Sequence, residues 1–192
     1  MNGFIKHSSL KYIMNTLKIE SKTVSKELPI FSTNISNHPE ALRLAAEAIY
    51  ELKQKSPQSI QSNVVANYVS SWSSHLETPK LQPLCDLVLS FCNEISKNYY
   101  KTDVQFKVFN CWGMIYKGGD YTKKHCHFPS TFAAVIYIDV EENSAPIVFE
   151  DQLTVVPTSG SLVVFPALLE HEVPKTNSKR IVIAMNIDYH TS

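Results

Sequence analysis

The sequence predicts a mainly β chain, a sandwich or jelly roll with N-terminal helices packed on its outer face. Two observations predict it. The hydrophobic period is helical over residues 37–97 and changes to two from Val104 onward, where the apolar segments VQFKVF, AAVIYIDV, PIVFE, LTVVP, SLVVF and RIVIAMNI follow one another. Turn-forming residues separate these segments, among them Gly118, Gly119, Asn143, Ser144, Ser159 and Gly160. So many short strands in about ninety residues suit two sheets packed face to face, and the double-stranded β-helix of the cupins is the expected member of that architecture.

At 192 residues with 44% hydrophobic content, the chain is long enough for one sizeable core, so a single domain over 1–192 is expected. Its N-terminal part, 1–103, supplies a flanking strand and the helices, and 104–190 supplies the β-helix core. Residues 1–36, including the apolar LPIF at 28–31, are expected to give the flanking strand and a poorly defined terminus. The first helix is predicted from a capping box, with Asn37 as N-cap and Glu40 three residues on, followed by Leu42, Ala45, Ala46, Ile49 and Leu52 at helical spacing. A second helix opens at Thr78 and Pro79 and carries Leu81, Leu84, Cys85, Val88, Phe91, Cys92 and Ile95 on one stripe.

Lys+Arg and Asp+Glu are 18 each, so no global field draws nucleic acid or an anionic membrane to the chain. Apolar runs are broken well before the roughly 20 residues a spanning helix needs, and the first residues lack the apolar core of a signal peptide. The expected place is the cytoplasm. Cys85, Cys92, Cys111 and Cys126 form no CxxC pair, which fits reduced thiols.

Of the seven histidines, His7, His38, His75 and His190 are isolated and read as surface or capping residues. His125 and His127 differ. Spaced i and i+2, they project from the same face of an extended strand while Cys126 points away, so two imidazole nitrogens can converge on one ion. His171 follows the strand SLVVF and the segment PALLE, where a neighbouring strand can bring it opposite the pair. Nine residues later, Arg180 opens the apolar strand RIVIAMNI. A guanidinium in that position needs an anionic partner, and its planar fork suits a carboxylate gripped in bidentate fashion. Spacing alone leaves open a surface histidine pair beside a salt-bridged arginine.

The segments WGMIYKGGDYTKKHCHFPS, VPTSGSLVVFPALLEHEVP and KRIVIAMN, over about the last ninety residues, resemble the Fe(II)- and 2-oxoglutarate-dependent oxygenases. The likeness is to a bacterial and marine-phage group carrying H-x-H, and more distantly to the prolyl 4-hydroxylases. The resemblance implies that His125, His127 and His171 hold the iron and that Arg180 holds 2-oxoglutarate. It also places Tyr137 at the co-substrate's distal carboxylate and Tyr116 at the pocket border; a nearby hydroxyl such as Ser130 or Thr131 is an alternative to Tyr137 for completing the grip of Arg180. Two departures stand out. The wider superfamily uses H-x-D, so H-x-H removes one negative charge from the ligand set. Met114 stands where the closer group tends to carry asparagine, and reads as packing.

The resemblance implies oxidative decarboxylation of 2-oxoglutarate to succinate and CO2 with O2, coupled to hydroxylation of a small-molecule or peptide substrate, although such centres also demethylate and desaturate. The rival readings are a cupin-type three-histidine dioxygenase that does not use 2-oxoglutarate, a three-histidine zinc site, and a non-catalytic cupin-like binding module. No feature of the sequence sets an oligomeric state.

Overall fold

A computed structural model describes Lys22 and residues 27–190. Most of the terminus expected over 1–36 lies outside these residues, as does His7. In chain order the strands are β1 (Phe31–Asn34), β2 (Val64–Val65), β3 (Tyr68–Val69), β4 (Phe106–Tyr116), β5 (Tyr121–His125), β6 (Phe132–Val140), β7 (Ile147–Phe149), β8 (Leu153–Val155), β9 (Ser161–Pro166), β10 (His171–Val173) and β11 (Arg180–Tyr189). They form a six-stranded sheet ordered β1-β9-β6-β11-β4-β3 and a five-stranded sheet ordered β2-β5-β10-β7-β8, with every pairing antiparallel. This is the predicted jelly roll.

The central strands are apolar throughout because the larger sheet is covered on both faces. On β11, Ile181, Ile183, Met185 and Ile187 pack toward the helices, whereas Val182 and Ala184 join the core between the sheets. On β6, Ala134, Ile136 and Ile138 face the helices and Ala133, Val135 and Tyr137 face the second sheet. The period of two therefore separates two cores, and only the inner one holds candidate site residues.

Helix α1 (Pro39–Lys55) buries Ala41, Ala45, Ala48, Ile49 and Leu52. After the short α2 (Ser74–Glu77), a 3-10 turn over Pro79–Leu81 leads into α3 (Gln82–Ile95), which buries Leu84, Cys85, Val88, Cys92 and Ile95. Thr78 opens that segment as predicted, its Oγ1 accepting from Lys80 N at 3.3 Å. Alanines let α1 lie close to the sheet, and Gly113 on β4 completes the approach: a Cβ there would stand 2.1 Å from Ile49 Cδ1.

Two expectations need correction. The capping box is absent, because α1 starts at Pro39 with His38 as a cap that makes no side-chain bond, which places Glu40 at the second helical position rather than the third. Glu40 instead accepts from Arg43 Nε at 2.9 Å. The helical reading of 37–97 also fails in its middle, where Pro57 and the β-branched pair Val64 and Val65 give extended chain. There β2 joins β5 and β3 joins β4, so this segment adds one strand to each sheet. No helix among the described residues is long and apolar enough to cross a membrane.

Candidate metal centre

His171 lies directly across from His125 in the pairing of β10 with β5. The same pairing matches Val173 to Thr122, so Lys123 and Lys124 of β5 oppose the single Glu172 of β10 and β5 bulges. The bulge turns both Thr122 and His125 toward the inner cavity although they are three apart. His127 follows the end of β5 and is anchored by its backbone N–H, which donates to Ala167 O at 2.7 Å. Ring centroids of the three histidines are 4.4 to 5.0 Å apart, and one ligand atom of each lies within 4.8 Å of the others. Cys126, between the pair, is exposed as expected.

Each ring has its Nδ1 against an oxygen: Lys123 O at 2.8 Å for His125, Asn186 Oδ1 at 2.7 Å for His127 and Leu169 O at 3.2 Å for His171. These oxygens only accept, so Nδ1 carries the proton and Nε2 keeps its lone pair. The Nε2 atoms of His127 and His171 are 3.3 Å apart. Two lone pairs so placed repel unless a cation lies between them, and three neutral imidazole nitrogens form a donor set that could hold a divalent metal. Burial keeps the rings neutral. It pushes His127 down to about 4 and His171 to about 3, with His125 adding a smaller like-charge effect on both, and it lowers His125 as well. Trp112 stacks on His127 and Phe165 sets its edge against His171, which fixes both planes.

Arg180 opens β11 and is 2% exposed. Its Nη1 donates to Ala145 O at 2.6 Å, its Nε has no partner, and no carboxylate pairs with it among the described residues. The guanidinium carbon lies 4.3 Å from the Tyr116 ring centroid and 5.9 Å from that of Tyr137. Burial raises both phenols, with Arg180 opposing the shift, so each keeps a proton to donate. A buried cation held only by neutral groups is costly unless an anion joins it.

An inner cavity of about 40 Å³ runs from Arg180, Tyr116, Tyr137 and Thr122 to the three histidines. An outer groove of about 460 Å³ meets it at Val64, Trp112, His125 and His127. Strand β11 threads both, with Arg180, Val182 and Ala184 on the cavity and Asn186 and Asp188 on the groove. The histidines thus stand where a slim inner space opens into a wide one.

All six residues singled out from sequence, His125, His127, His171, Arg180, Tyr116 and Tyr137, line the inner cavity. Ser130 and Thr131 do not: both bond Asp188, at 3.3 and 3.0 Å, and Ser130 lines the outer groove, because they lie opposite the far end of β11 from Arg180. The hydroxyl of Thr122 lines the inner cavity, its Oγ1 2.8 Å from Tyr116 Oη. Sequence reasoning also missed Asn186, although its even spacing from Arg180 on β11 puts both on the inner face. Met114 packs in the inner core, with its sulfur 3.5 Å from Tyr116 Oη. His38 and His190 are exposed, whereas His75 is partly buried with an unpartnered Nδ1.

No family model matches the chain, and no curated protein matches its sequence. Solved structures do match. A prolyl-4-hydroxylase from Pseudomonas putida superposes with a TM-score of 0.65 at 14% identity, over 84% of this chain and 93% of the other. The viral collagen prolyl hydroxylase of Paramecium Bursaria Chlorella virus-1, in complex with 2-oxoglutarate, gives 0.58 at 14% identity, over 82% and 94%. A non-heme alpha ketoglutarate dependent epimerase from nogalamycin biosynthesis gives 0.60 at 14% identity, over 82% and 76%. The chain has the jelly-roll fold of these 2-oxoglutarate oxygenases, with a three-histidine cluster in its interior.

Proposed function

We propose that the chain is an Fe(II)- and 2-oxoglutarate-dependent oxygenase in which His125, His127 and His171 hold the metal and Arg180 holds the co-substrate. The observation that carries this reading is the buried guanidinium of Arg180, which faces the histidine-lined cavity with no carboxylate among the described residues to neutralise it. Arg180, Val182 and Ala184 of β11 line the same cavity as the three histidines, so a short diacid gripped at Arg180 would lie in that cavity with its other end toward them. Arg180 grips the distal carboxylate, and the protonated Tyr116 and Tyr137 phenols beside it can each donate to the same group.

Fe(II) with 2-oxoglutarate supplies O2 activation coupled to decarboxylation, which yields succinate and CO2. The chain supplies geometry: the histidines are fixed through Nδ1, and the apolar Val64 and Trp112 line the junction of the two spaces. The outer groove admits the second substrate, a small molecule or a peptide, for hydroxylation at a C–H bond. Anaerobic reconstitution with Fe(II) followed by 2-oxoglutarate should develop a visible metal-to-ligand charge-transfer band, and O2 uptake should require 2-oxoglutarate. Uptake that ignores 2-oxoglutarate would favour a three-histidine dioxygenase; metal binding with neither signal would favour a binding module.

A further inference from the structure

The three candidate ligands differ in what fixes their protons. His125 and His171 set Nδ1 against main-chain carbonyls, of Lys123 and Leu169, which cannot exchange a donor for an acceptor. His127 alone relies on a side chain, the carboxamide of Asn186 at 2.7 Å. A carboxamide has an accepting and a donating end. Turned by half a rotation, Asn186 would present its NH2, His127 would accept at Nδ1, and the proton would move to Nε2. His127 would then have no lone pair where the three rings converge.

Asn186 is itself held. Its Nδ2 donates to Asn110 Oδ1 at 3.2 Å, and Asn110 stands across from it in the pairing of β11 with β4. If Asn186 turned alone, its oxygen would face the oxygen of Asn110. Both amides line the outer groove, next to His127. This arrangement answers a need peculiar to H-x-H: a carboxylate ligand has no tautomer to set, whereas a histidine ligand does.

We propose that Asn186 is a positioning residue for the metal centre: its carboxamide oxygen, backed by Asn110, keeps the His127 proton on Nδ1 and presents Nε2 to the metal. This rests on the reading of the three histidines as a metal site. The amide, unlike a carboxylate, leaves His127 a neutral ligand. Both properties are altered separately by Asn186→Leu, which has no acceptor, and Asn186→Asp, which accepts through either oxygen and adds charge.

The test is zinc titration against a chelator for the wild type, Asn186→Leu, Asn186→Ala and Asn186→Asp. It is paired with nitrogen-15 NMR of the histidine side chains in the zinc-loaded proteins. Loss of such a partner is expected to weaken zinc binding by about 10- to 100-fold in the Leu and Ala variants, and the exchange-protected His127 Nδ1–H signal should vanish while those of His125 and His171 persist. Asn186→Asp should keep that signal and bind zinc at least as tightly as the wild type. If the wild type binds no zinc, the metal reading itself falls. If the wild type binds and Leu or Ala binds equally well with the His127 signal intact, the positioning role is wrong. It is equally wrong if Asp weakens binding as much as Leu, because Asn186 would then contribute packing alone.

Discussion

The Nε2 atoms of His127 and His171 face each other at 3.3 Å while both Nδ1 atoms are engaged by oxygen acceptors. A divalent ion between them would relieve that opposition, and a ligand that binds only the folded state stabilises it, by about 2.7 kcal/mol at 100 times its Kd. Zinc or anaerobic Fe(II) should therefore raise the melting temperature of the wild type. His171→Ala should abolish that rise, and His190→Ala, at an exposed position, should retain it. Equal rises in all three proteins, measured by thermal denaturation, would place the metal elsewhere.

Gly113→Ala is expected to destabilise the fold by about 1–3 kcal/mol, the usual cost of overpacking a tight core. The added Cβ would lie 2.1 Å from Ile49 Cδ1 and 2.5 Å from Ile49 Cγ1, and Ile49 is fully buried. Shortening the opposing side chain should recover part of the loss, so Ile49→Val should cost less in the Gly113→Ala protein than in the wild type. Urea denaturation of the four proteins measures the coupling; strict additivity would show that α1 shifts freely away from β4.

Tyr116→Phe should cost about 1–3 kcal/mol, because Thr122 Oγ1 loses its partner at 2.8 Å in a buried setting. Thr122→Val in the same background should add little, since it replaces the orphaned hydroxyl by a methyl and both ends of the bond are then apolar. A double-mutant cycle reads the coupling directly. The same Tyr116→Phe variant should bind 2-oxoglutarate more weakly than the wild type, because the phenol beside Arg180 no longer donates; unchanged affinity would assign Tyr116 to the wall alone.

Much of the site is legible in the sequence because it is written in strand parity. Arg180, Val182 and Ala184 line one cavity by this rule, which extends to Asn186 when the count is continued, whereas His125 ends β5 and His127, expected on the same strand face, reaches the cavity from just beyond the strand. What parity cannot show is a bulge. Thr122 and His125 are an odd number apart, so an unbroken strand would send them to opposite faces, and only the mismatch between β5 and β10 brings both inward. The short strands β2 and β3 were hidden for another reason: two residues each are too few to carry a period, and their pairing partners lie far along the chain. The lost capping box at Asn37 turns on a shift of one residue, set by Pro39 at the helix start. Ser130 and Thr131 were misplaced because sequence gives the strands but not which end of β11 each loop meets.

Arg180 decides between a 2-oxoglutarate enzyme and every other use of three histidines in this fold. Its guanidinium is buried, touches the Tyr116 ring and meets no carboxylate among the described residues. Arg180→Lys keeps the charge but loses the fork, and Arg180→Ala loses both, so affinity for the diacid should fall in that order. The direct measurement is an anaerobic titration of 2-oxoglutarate into the Fe(II)-loaded wild type and the two variants, followed by the charge-transfer band. The account predicts a saturable band in the wild type, at least about tenfold weaker binding for Arg180→Lys, where 1.4 kcal/mol corresponds to a factor of ten, and a greater loss for Arg180→Ala. The same affinity in all three proteins, or no band in any of them, would contradict it.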